Sequence, residues 1–121
     1  MALHCTPLGS RSVLLRHVGH TGHDIELPSL LPDTVHQPLK ALLVDLTEAI
    51  VISPERLIQA TGLRLGTEQE LFSHIIIILP AENDELRAYI ALHYCRYGQT
   101  RRLHFAENRT EALRQLDKLL S

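Results

Sequence analysis

The sequence predicts one α/β domain: a mixed sheet of four to five strands, with an N-terminal hairpin and three main helices packed largely on one face. Three observations predict it. Ala41 to Thr47 reads ALLVDLT, apolar but for Asp45 and its closing Thr. A short run without alternation is the pattern of a strand covered on both faces. His74 to Leu79 repeats that pattern with four consecutive isoleucines, whose β-branched side chains are stiff at χ1 and suit a strand better than a helix. Each run is followed by turn residues and then by a helical apolar period. Strand–helix alternation calls for parallel strands joined by crossover helices.

Taken in order, residues 1 to 11 form an irregular N-terminal segment containing Pro7 and Gly9, with at most a short strand at Ala2 to Cys5. The single domain spans residues 12 to 121. Ser12 to Val18 reads as a strand, Gly19-His20-Thr21-Gly22 as a turn, and His23 to Leu27 as a weakly alternating second strand, which makes a hairpin. Pro28, Pro32 and Pro38 punctuate a connector with a short helix at most near Asp33 to His36. The apolar strand Leu39 to Leu46 leads to Ser53-Pro54-Glu55, where a hydroxyl cap, a first-turn proline and an acid at the positive end of the dipole start a helix. Leu57, Ile58, Thr61 and Leu65 share its face, and Thr67 to Glu70 has capping-box spacing for a second short helix. After the isoleucine strand, Asn83 or Asp84 caps a helix whose face is Leu86, Tyr89, Ile90, His93 and Tyr97, ended by Gly98. Arg101 to Phe105 is a shorter strand. Asn108 and Glu111 start the last helix, with Ala112, Leu113, Leu116, Leu119 and Leu120 as its apolar stripe.

The chain has 121 residues, 45% hydrophobic and 21% charged, and a formal net charge of −2. One core suits that length, and no broad basic surface advertises nucleic acid. Protonating all 8 histidines would carry the formal charge from −2 to +6, so solubility and anion binding depend on pH near neutrality. Cys5 and Cys95 are too far apart to suggest a disulfide framework. Cys5 reads as exposed and Cys95 as a small packing residue. No run approaches the ~18 apolar residues of a membrane span, and no secretory signal opens the chain. A cytoplasmic protein is the expectation.

The element order and local sequence resemble the STAS superfamily: sulfate-transporter domains, anti-sigma-factor antagonists and small stand-alone bacterial SpoIIAA-like proteins. The resemblance rests on Lys40 to Thr47, similar to the family's buried strand, and on Arg102 to Asn108 followed by Glu111 to Leu119, similar to its closing strand and helix. It covers roughly residues 12 to 120. It implies a SpoIIAA-like fold and a non-catalytic regulatory module that binds a protein partner, a second copy as a homodimer, or a small apolar ligand. In the antagonists a serine opening the helix after the buried strand accepts phosphate. That position falls on Ser53, where Ile52, Pro54 and Glu55 replace the family's flanking residues. Ser53 therefore reads as a helix cap or, on the resemblance, as a phospho-switch. For an apolar ligand the lining would be Leu57, Ile58, Tyr89 and Tyr97, which serve equally as core.

Asp45, at the end of a buried strand, is the acid at a typical ligand-binding edge, with Thr47 beside it and Ser53 beyond. Such an Asp also caps loops. The alternative in another class is a metal protein or enzyme using His17, His20 and His23, with Asp24 or His4 as a fourth ligand. Solvated hairpin histidines explain the same spacing. A cysteine nucleophile would need Cys95 beside His93 or His104. Arg96, Arg101 and Arg102 form a small basic patch. Nothing calls for a cofactor.

Overall fold

A computed structural model of the chain describes residues 2–9, 12–20, 39–50, 72–96 and 103–120. Five strands, β1 (Ala2–Pro7), β2 (Ser12–His20), β3 (Leu39–Ile50), β4 (Phe72–Ile78) and β5 (Leu103–Ala106), and two helices, α1 (Asp84–Arg96) and α2 (Arg109–Leu120), are formed. The strands lie side by side in chain order. β1 is antiparallel to β2, while β2, β3, β4 and β5 are mutually parallel. The sheet is therefore mixed, and among the described strands the antiparallel one, β1, stands at an end of the order.

The unbroken apolar runs become the two central strands, and both of their faces are buried. Ile75, Ile76, Ile77 and Ile78 are each 0% exposed. Because side chains alternate across a strand, they divide between two cores. Leu42, Val44, Ile75 and Ile77 join Val13, Leu15 and Ile90 on one face. Ala41, Leu43, Ile76 and Ile78 join Ala106, Ala112 and Leu116 on the other. Each fully buried isoleucine is worth roughly 1.5–3 kcal/mol of transfer free energy.

α1 opens with Asp84 and Glu85 in its first turn and packs Leu86 and Ile90 on the first core. Its Arg87 guanidinium lies 5.4 Å from the centroid of the Phe105 ring, within cation–π range. α2 starts as its sequence predicts. The Glu111 N–H donates to Asn108 Oδ1 at 2.8 Å, and Glu111 Oε2 accepts from the Glu107 N–H at 3.3 Å. Gln115 donates to the Phe105 carbonyl at 2.9 Å, tying the helix to the strand before it.

The expectation of three main helices largely on one face is corrected here. Two helices form among the described residues, and they lie on opposite faces of the sheet. The reason is in β3 and β4 themselves, since strands apolar at every position need cover on both sides. The helix expected after Ser53 lies outside the described residues. The N-terminal antiparallel pair forms from β1 and β2 rather than from β2 and a following strand, because β2 pairs with β1 on one edge and β3 on the other; His23 to Leu27 lies outside the described residues. The short strand allowed at Ala2 to Cys5 is present and runs further, to Pro7. Leu8 N donates to Ser12 O at 2.8 Å across a turn in which Gly9 takes φ 85°, a value that favours glycine. The cysteines exchange roles: Cys5, in β1, is half-buried and Cys95 exposed.

Candidate functional site

Among the described strands one register irregularity is present, and it sits beside Asp45. Arg16 pairs with Asp45, but Val18 pairs with Glu48. Leu46 and Thr47 together therefore oppose the single residue His17, which is a bulge in β3. Bulges re-aim side chains and release backbone groups from the ladder. Here the Thr47 N–H turns back to Asp45 Oδ1 at 3.0 Å, and the Thr47 hydroxyl donates to the same oxygen at 2.6 Å. The other oxygen, Oδ2, accepts from Arg109 Nε at 2.7 Å. Arg109 is the first residue of α2, so the helix that covers the second core also delivers a cation to the acid.

Asp45 pairs opposite Ile78, the last residue of β4, which puts the cluster at the C-terminal edge of the parallel strands. Ligands of α/β sheets bind there. The Asp45 side chain is 2% exposed and that of Arg109 47% exposed. Burial alone would raise the Asp45 pKa. The two bonds from Thr47, then the bond and charge of Arg109, outweigh burial, and the carboxyl is held below its ordinary value. The acid is ionised at neutral pH with both oxygens engaged, which makes it a weak proton acceptor. Among the described residues Arg109 makes no other hydrogen bond, and its guanidinium carries further N–H donors of the kind that bind anionic groups.

Near the same bulge, on β2, His17 is 3% exposed. Its Nε2 is buried without a hydrogen-bond partner among the described residues. Burial pushes its pKa down to about 4, against a smaller opposite pull from Asp45. It is neutral at physiological pH. His17 is a buried strand residue, not a solvated hairpin residue.

The structure joins Asp45 and Thr47, two of the candidate binding residues, and adds Arg109, which the sequence reading missed. The signal available was a basic residue at the start of a helix following a strand, and it does not name its partner 64 residues away. Ser53 and His23 lie outside the described residues. His20 ends β2, three residues beyond His17. Among the described residues no group of three or more His, Cys, Asp or Glu is placed to hold a metal ion. Of the residues expected to line an apolar pocket, Tyr89 is 41% exposed, while Leu57, Ile58 and Tyr97 are outside the described residues. Cys95 lies on α1, on the opposite side of the sheet from His104, which contacts His74 instead. Compared with family models, curated proteins and solved structures, the chain matches none. No helix among the described residues is long and apolar enough to cross a membrane.

Proposed function

We propose that this chain is a non-catalytic regulatory module of STAS type that binds a partner protein at the C-terminal edge of its parallel strands. One observation carries the reading. The buried acid at that edge, Asp45, has both oxygens engaged by Thr47 and Arg109, so it organises a surface and does not take protons from a substrate. Arg109 is the recognition element: its Nε is fixed by Asp45, its side chain is 47% exposed, and its planar fork suits a carboxylate or phosphate of the partner.

The test is native mass spectrometry of untagged protein recovered from its own cells, under gentle and then denaturing conditions, for the wild type and Arg109→Gln. The expected result is a bound polypeptide that leaves on denaturation, with occupancy at least tenfold lower in the variant while its circular dichroism is unchanged. A bound small molecule in place of a polypeptide, or equal partner occupancy in the variant, would overturn the reading.

A further inference from the structure

His74 and His104 meet on the α2 side of the sheet. His74 lies near the start of β4 and His104 is the second residue of β5. His104 pairs with Ile76 in the ladder, so the two imidazoles are diagonal neighbours on adjacent strands and alternate to the face of Ile76 and Ile78. His74 Nδ1 and His104 Nε2 are 3.3 Å apart. The ring centroids are separated by 5.4 Å and the planes tilted by 51°. The pair stands at the end of the strands away from Asp45 and plays no part in the site described above.

We propose that His74 and His104 form a chelating site for a borderline divalent cation, Zn2+ above all. A zinc ion binds imidazole nitrogen at 2.0–2.1 Å in tetrahedral geometry, which puts two such nitrogens about 3.4 Å apart. The pair already has that separation. Both rings are carried on strands, and β4 is locked by the fully buried Ile75 to Ile78, so little order remains to be imposed on binding. Both histidines are half-buried. Burial, and then the neighbouring His74, lower the His104 pKa, which favours the neutral imidazole that ligates metals. Without an ion one ring must donate an N–H to the other. With an ion, the donor shifts its proton to its second nitrogen and both facing lone pairs are used. No third His, Cys, Asp or Glu joins the pair among the described residues. The two remaining tetrahedral positions belong to water or an incoming donor, as in zinc sites that stay open to exchange.

The test is calorimetric titration of the tag-free, chelator-treated full chain with Zn2+, for the wild type, His74→Gln, His104→Gln and the double variant. The expected result is one Zn2+ per chain, bound at least tenfold more weakly after either single change and not at all in the double variant. Imidazole nitrogen chemical shifts of the wild type supply a measurement independent of variant folding: His74 Nδ1 and His104 Nε2 should move together on adding Zn2+. Binding no tighter than roughly 1 mM, affinity unchanged in the double variant, or shifts confined to other histidines would overturn the proposal.

Discussion

His17 is a buried neutral imidazole, and acid should destabilise the fold through it. The ordinary histidine value is 6.5 and the folded value about 4. Above pH 6.5 both folded and unfolded chains hold the ring neutral, so His17 adds no pH dependence there. Between 6.5 and about 4 the unfolded chain takes up a proton that the folded state refuses, and stability falls as pH falls. Below that window both states are protonated and the loss is complete. At about 1.4 kcal/mol per pH unit the whole loss is about 3 kcal/mol. Going from pH 7 to pH 5 accounts for about 2 kcal/mol of it. The perturbation that isolates it is His17→Leu, which keeps an apolar side chain in the strand and removes the titration along with an unpartnered Nε2. Urea unfolding followed by circular dichroism at pH 7 and pH 5 should show the wild type losing about 2 kcal/mol more than the variant. With an m-value of about 1–2 kcal/mol/M, that is a difference of about 1–2 M in midpoint shift. Equal shifts in the two proteins would refute the burial of a neutral His17.

Other outcomes follow from the same structure. Arg109→Ala leaves a buried, ionised Asp45 with Thr47 as its one partner among the described residues, and should cost about 1–3 kcal/mol in urea unfolding at pH 7. Arg109 also depresses the Asp45 pKa, so this part of the stability is present at neutral pH and is lost as pH falls through the folded Asp45 value, below 3.8. The carboxyl shift in the carbon NMR spectrum should accordingly titrate at higher pH in the variant. Asn108→Ala removes the side-chain acceptor of the α2 cap and should cost about 1 kcal/mol, with Asn108→Asp close to wild type. Gly9→Ala should lower stability by about 1 kcal/mol through its φ of 85° alone, since a Cβ there meets nothing within 4 Å. No change in melting temperature would mean that the turn takes another conformation.

What could be read from the chain was local. The apolar runs at Ala41 to Leu46 and His74 to Leu79 announce buried strands because they are short and do not alternate, and the second adds four β-branched isoleucines. Asn108 and Glu111 announce the start of α2, because both partners of the cap lie within one turn. Asp45 and Thr47 were legible as polar residues closing a buried strand; that they bond to each other, although two residues apart, came with the bulge that turns Thr47 back. Strand pairing was not local. That β2 lies between β1 and β3, which displaced the expected hairpin, depends on which edges close first on which neighbours, and a weakly alternating segment cannot encode that. The side of the sheet each helix covers was decided by the two-faced burial of β3 and β4, not by the helix sequences. The side chains with chemistry to offer were placed by the same long-range pairing. Arg109 reaches Asp45 across 64 residues, His104 reaches His74 across 30, and His17 stays neutral down to about pH 4 because the folded chain buries it. The sequence by itself determined which segments had to be buried; the tertiary structure alone decided which polar groups met, because contacts between distant residues follow from sheet register and leave no periodic trace in the chain.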